Sequence, residues 1–456
     1  WAESIQIIKG AGSVVNGYES ITGQINIEML KPDDSENLFV NVYGNEKGRI
    51  ELNIHGAQKL SKKWSTMSLA HVSNQSVEWD MNDDSFLDMP IKTQYNFFNR
   101  WKYQSKKFMS QFGFRGVYDE YQTIIGNTHN TIKFGGSMQY DLYDKNYNDS
   151  LFGREEVVPG AFAEYTYTGN KSALVLGARG DYHNMYGAFF TPRLHYKYNF
   201  TQLSAWRFSV GRGFRTANPF IESASVMASS RNVVTEELNP EIAWNYGTSL
   251  THNFELFKKE MTFSTDYYYT DFENQVVIDM ENPNEVVFYN LDGKSFSHSL
   301  QVELHVRITE QLELRTAYKF YDIQTDYKSG RKTKPLVPTN RAFMNIAYAT
   351  NFDKWKFDLT GQWFGTSRLP STETNPADYQ IPSRSLSYFM FNGQVTRAFK
   401  HFEVYVGVEN LTNFTQDNPI IAANDPFGSN FDASLIWGSI NGRITYAGIR
   451  YKFNKL

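Results

Sequence analysis

The chain has 456 residues, no cysteine, 16% aromatic residues and a formal net charge of -4 at pH 7. That excludes disulfides, thiol nucleophiles and Cys-based zinc sites, and it offers no basic surface for nucleic acid. No run of ~18 apolar residues is present, so a helical membrane span is excluded. The 29 Tyr and 35 Phe are what two aromatic girdles at a membrane boundary require, although an aromatic-rich soluble β-protein such as a carbohydrate binder satisfies composition alone.

The first thirty residues differ in character from the rest. A short strand (SIQII, 4–8) leads into a Gly-rich loop (KGAGSVVNG, 9–17) and a second strand (GQINIEM, 23–29). From about residue 36 to the end, segments alternate between two unlike faces, the period-2 signature of extended strands. Val302, Leu304 and Val306 oppose Gln301, Glu303, His305 and Arg307. Phe357, Leu359 and Trp363 oppose Asp358, Thr360 and Gln362, and Val404, Val406 and Val408 oppose Glu403, Tyr405 and Glu409. In the tail, Thr445, Ala447, Ile449, Tyr451 and Phe453 oppose Tyr446, Gly448, Arg450 and Lys452. One such strand is weak, since a soluble sandwich also alternates. Many in series without interleaved helices predict an all-β transmembrane barrel of ~10-residue segments, with Leu304 facing lipid and Glu303 the lumen.

Short turns read as periplasmic and longer connections as extracellular. Strands then run outward near 37–45, 63–74 and 107–118 and inward near 48–59 and 92–103, followed by 131–142, 156–167, 171–183, 188–199 and 203–214. The total is about nineteen, and an odd count cannot close an antiparallel barrel whose ends share one side. Strands 107–118 and 131–142 both run outward, and the link between them, 119–130, holds only a Gly126-Asn127 turn signal. A segment of about three strands is expected to be missing there, near 122–125.

No catalytic constellation emerges: the nine His are scattered and none sits in an HExxH motif, so an enzyme is not predicted. In DMNDDSFLD (80–88), Asp80, Asn82, Asp84 and Asp88 follow the oxygen spacing of calcium loops. Ser85 replaces the usual Gly and Ile91 the closing Glu, and the plainer reading is a solvated acidic loop. His183 and Met185, beside Tyr182 and Tyr186, pair an imidazole with a soft thioether and suit copper; the plainer reading is packing or lumen lining. Arg212 and Arg215, with His183 and Tyr186, are ligand-binding candidates, because guanidinium forks pair with anionic chelates. Their alternative is an ion pair with acidic residues of the protein. Pro240 is expected to set a loop exit, with Trp244 and Tyr246 in an aromatic girdle.

The N-terminal stretch, through Ile5, Ile7, Lys9, Gly10, Ser13, Gly17, Ile21, Gly23, Ile25, Asn26 and Ile27, closely resembles the end of the plug domain of TonB-dependent outer-membrane receptors. GRGFRTANPF (211–220), ELNPEIAWNYG (237–247) and VENLTNF (408–414) resemble further family segments, in family order. The resemblance implies a barrel of twenty-two strands filled by a plug. It places the closing part of the plug at 1–34 and the transmembrane barrel at 35–456.

It also implies an outer-membrane protein energised by TonB–ExbB–ExbD, in contact with outer-membrane lipid and in some members with a surface lipoprotein. No cofactor is required, and calcium in an extracellular loop is a candidate only from the spacing in 80–88. The implied cargo is a small-molecule metal chelate, a ferric siderophore before cobalamin or copper. The alternatives are a passive porin or structural barrel, which the plug-like segment disfavours, and a soluble extracellular β-rich binding module. Two features depart from the family pattern. The sequence opens only in the closing part of the plug, so as written it is expected to lack what TonB engages. Asn454, Lys455 and Leu456 follow the aromatic Phe453.

Overall fold

The structure, a computed structural model, describes residues 2–9, 14, 18, 23–32, 35–80, 87–89, 91–104, 109–114, 120–126, 130–143, 146–147, 150–151 and 153–453. Alternation produces strands because successive side chains leave opposite faces of an extended backbone. Asn130–Tyr143 shows it over its whole length: Ile132, Phe134, Met138, Tyr140 and Leu142 are exposed on one face, while Lys133, Ser137, Gln139 and Asp141 are half-buried on the other. Apolar side chains exposed in such rows would be a liability in water and suit lipid. The same outward face carries Tyr95, Phe97, Phe389, Val406 and Ile449.

Neighbours in sequence pair antiparallel, and the last strand, Ile444–Phe453, pairs back on Leu38–Asn45 with Ile449 opposite Val42. Twenty-one strands share this sheet. One of them, Gly330–Thr333, is a hairpin arm on Leu312–Tyr327, whose lower part pairs with Asn340–Ala349. That leaves twenty in the barrel wall. The predicted spans 48–59, 92–103, 171–183 and 188–199 match Arg49–Lys59, Lys92–Gln104, Ser172–His183 and Gly187–Asn199 to within a residue.

The strand that makes the number even is Glu120–Gly126, inside the link where a gap is expected from the sequence. It pairs with Asn130–Tyr143 from Glu120 opposite Ser137 to Gly126 opposite Thr131. Met109–Phe114, on the other side, pairs with Lys92–Gln104. Among the described residues no residue-by-residue register joins these two short strands.

Ala2–Lys9 and Gly23–Met29 form a separate two-stranded sheet, with Ile5 opposite Ile27. Described residues of the N-terminal segment touch the inner wall. Leu30 packs on Ala57, Met67, Leu69 and Phe98, and Tyr18 packs with Val158 and Phe214. Long connections gather at one end of the barrel. There Asn232–Thr235, Glu285–Asn290 and Val276–Asp279 form a three-stranded sheet over a core of Val226, Val286 and Phe288.

Candidate functional site

The inward positions of adjacent strands carry a dense polar cluster where the segment around Tyr18 meets the wall. Arg179 and Asp181 stand two residues apart with their side chains 1% and 0% exposed; Arg179 Nε donates to Asp181 Oδ1 at 2.9 Å and its Nη2 lies 2.7 Å from the same atom. A buried pair recovers its desolvation only when its remaining donors are met. Arg179 Nη2 also donates to Ser137 Oγ. Gly160 leaves the necessary space, since a Cβ there would lie 2.0 Å from Asp181 Oδ1.

Arg193, equally buried, donates through Nη2 to the carbonyl of Tyr18 at 3.2 Å. The Tyr18 hydroxyl donates to Gln139 at 2.9 Å, and its ring stacks on Phe214 at 4.3 Å and 5°. Val14 lies against Gly177, where a Cβ would come within 2.7 Å of it. Tyr18 is therefore held by ring stacking and hydrogen bonding, and Val14 by close approach to the wall backbone.

The residues singled out from the sequence fall in several places. His183 is fully buried at the end of its strand: Nδ1 accepts from the Met185 backbone N–H at 3.2 Å, while Nε2 faces Thr216 Oγ1 at 3.3 Å and Glu156 Oε2 at 3.8 Å. Both ring nitrogens have protein partners, and the Met185 side chain is exposed. Tyr186 lies 4.8 Å from the His183 ring and donates to the Leu238 carbonyl; burial raises its phenol above the ordinary range.

Arg212 grips Glu273 with two bonds of 3.0 and 2.7 Å, and Trp244 Nε1 donates to the same carboxylate. Arg212 pairs in register with Trp244, and its bond to Glu273 is the ion pair that the sequence offers as the alternative to a ligand contact. Arg215 is held by Glu222 at 2.7 Å and by Glu241. Of the calcium candidates, Asp80 and Asp88 lie in the described part of their loop, with Asn82 and Asp84 outside it. Among the described residues no three His, Cys, Asp or Glu side chains gather as a metal site.

A cluster that sequence reasoning missed lines the opposite wall. Lys319 and Arg341 sit directly across from one another on neighbouring strands, both on the lumen face. Like charges in that relation repel, and among the described residues neither forms a salt bridge. Lys319 Nζ lies 4.7 Å from the Tyr321 ring centroid and the Arg341 guanidinium 5.4 Å from that of Phe364. From Phe364 the rings continue in parallel stacks, Phe364 on Tyr388 at 4.8 Å and Tyr388 on Phe414 at 4.3 Å, towards the long loops. The cations, with Gln301, Phe343, Gln362 and the ion-paired Glu303 and Arg315, line a cavity of ≈ 360 Å³. The alternation places 319 and 341 inward, but nothing local in the sequence says that they face each other.

Above the lumen, the long connections are tied together by charge. Arg231 Nη2 meets Asp432 at 2.9 Å, with side chains 1% and 8% exposed, and Arg231 Nη1 donates to the carbonyls of Met280 and Asn282. Glu281 takes Lys332 and Arg368, each at 2.7 Å. Tyr289 donates to Asp279 at 3.0 Å, and burial, reinforced by that carboxylate, raises its phenol far above the ordinary range.

A family model described as TonB dependent receptor-like, beta-barrel, matches residues 17–411. The chain belongs to the TonB-dependent receptor family. Its members are outer-membrane transporters rather than enzymes, and this chain crosses the outer membrane with its strands. The long-loop end is therefore extracellular. No curated protein sequence matches the chain.

Solved structures do match. A mutant of the ferric enterobactin receptor of Pseudomonas aeruginosa, in complex with enterobactin, matches with a TM-score of 0.73 at 11% identity, over 98% of this chain and 86% of that one. The copper transporter OprC matches with a TM-score of 0.73 at 11% identity, over 98% and 85%. The FrpB iron transporter of Neisseria meningitidis matches with a TM-score of 0.69 at 10% identity, over 99% and 87%. At such identities the likeness is one of fold.

Proposed function

We propose that this TonB-dependent transporter imports an anionic ferric chelate, a siderophore, which it first holds at the extracellular half of the lumen wall. The observation that carries this reading is the Lys319–Arg341 pair, two directly opposed cations that form no salt bridge among the described residues. The stacked Phe364, Tyr388 and Phe414 rings beside them favour a ligand with aromatic chelating groups. Coupling to TonB–ExbB–ExbD follows from the family. The hairpin Ala2–Lys9 and Gly23–Met29 is the closing part of the plug. Its exposed Ile5, Ile25 and Ile27 support that role, because a two-stranded sheet with a bare apolar face is not stable alone. The hold on Tyr18 supports a plugged transporter over a passive porin.

The test is equilibrium binding of ferric enterobactin and of ferric citrate to the detergent-purified full-length transporter and to its Lys319→Glu, Arg341→Glu variant. Each lost charge-assisted contact is worth ~1.5–3 kcal/mol, so the variant is expected to bind at least one of the two about 100-fold more weakly. Equal binding by both proteins, or no binding of either chelate by the unaltered one, sinks the reading. Copper bound in the absence of any chelator, and lost on joint substitution of His183 and Met185, would put copper in its place.

A further inference from the structure

A second pair of opposed cations lies on the other side of the plug contact. Lys197, on Gly187–Asn199, is directly across from Arg207, on Ser204–Arg215. Both share the lumen face with Arg193, which touches Tyr18. Lys197 is two residues from the periplasmic end of its strand, and Arg207 is three from the start of the next. At ~3.3 Å per residue, Lys197 lies roughly 13 Å along the strand from Arg193, towards the periplasm. Among the described residues Lys197 forms no salt bridge, and Arg207 Nη1 donates only to Thr251 Oγ1, at 3.3 Å. The two cations, with His195, Ser249, Thr251 and Asp266, line a cavity of ≈ 490 Å³. Asp266 is its carboxylate, which leaves the cations in excess there.

Two like charges placed opposite each other cost stability unless an anion joins them. The geometry points to a periplasmic-side anion subsite at Lys197 and Arg207, which receives the anionic chelate once the Tyr18 contact has yielded and before release. This rests on the anionic-chelate reading above. The lumen then offers two stations of the same design, one beneath the extracellular loops and one near the periplasmic mouth, with the plug contact between them. Arg193 and Arg179, bound to Tyr18 and Asp181, belong to the barrier rather than to either station.

The test uses the full-length transporter in cells and the radiolabelled ferric chelate that it binds best. Binding is read in de-energised cells and initial uptake in energised ones. Lys197→Gln with Arg207→Gln is expected to leave binding within about twofold and to lower uptake about tenfold. The charge-retaining exchange Lys197→Arg with Arg207→Lys is expected to restore most of the uptake. Unchanged uptake overturns the inference, and so does a parallel loss of binding and uptake. Should the Gln variant fail to assemble, Thr251→Glu, which brings a carboxylate against Arg207, serves instead and is expected to slow uptake with binding intact. Failure of the parent reading looks different, since the unaltered transporter would then bind no anionic chelate at all.

Discussion

At the scale of single residues, facing is what the sequence makes legible. The parity that sets Leu304 against Glu303 holds: Glu303 accepts from Arg315 Nε at 2.8 Å and lines the lumen cavity, and Leu304 shares the opposite face with Val302, across from Tyr318. Leu304→Arg is therefore expected to cost ~2–4 kcal/mol if the side chain lies near the midplane, because a charge facing hydrocarbon has no solvent. Glu303→Gln, which leaves a polar group in a hydrated lumen, is expected to stay within ~1 kcal/mol. Urea unfolding of the barrel in lipid vesicles measures both, and equal costs would contradict the assignment. Partners are not legible in the same way. Arg212 finds Glu273 sixty-one residues away, at a register shift between Ile242 and Ala243 that moves the facing strand by one position. A one-residue shift turns side chains to the other face, and no local pattern announces it.

At the scale of elements, the spanning strands are legible and the extracellular connections are not. Asn232–Thr235, Val276–Asp279 and Glu285–Asn290 are each too short for alternation to show, and two of them pair in parallel across fifty residues of chain. Their stability comes from tertiary contacts. Arg231 is the hub, because its side chain is buried and bonds both Asp432 and carbonyls of the Val276–Asn290 connection. Removing one partner of a buried pair leaves a charge without solvent, at ~3–5 kcal/mol, whereas replacing both by apolar groups is often neutral. Arg231→Met alone is expected to open these connections to protease and to speed amide exchange at Val286 and Phe288. Arg231→Met with Asp432→Leu is expected to recover most of the protection. If the single variant exchanges like the unaltered protein, the pair does not hold the extracellular connections together.

At the scale of the whole molecule, the class, the family and most of the wall follow from repetition, since twenty strands of one period leave few alternatives. The exception is the seam. Among the described residues Met109–Phe114 has six and Glu120–Gly126 has seven, whereas a tilted strand needs ~9–11 to cross the hydrocarbon. Asn130–Tyr143 has fourteen, and among the described residues Glu120–Gly126 pairs with only half of them, Thr131–Ser137. Every other wall strand has at least eight residues, and the two short ones are neighbours. This is also where the sequence count fails to come out even. The strand Glu120–Gly126 restores parity but not span, whereas three full-length strands in its place between 115 and 130 would restore both and bring the wall to twenty-two. We therefore expect trypsin digestion of the protein taken from its own outer membrane to yield no continuous peptide 116–133, and to yield in its place peptides of alternating sequence absent from this chain. Recovery of 116–133 intact would establish a twenty-strand wall, whose two shortest strands would then have to thin the bilayer locally or leave backbone groups exposed to it.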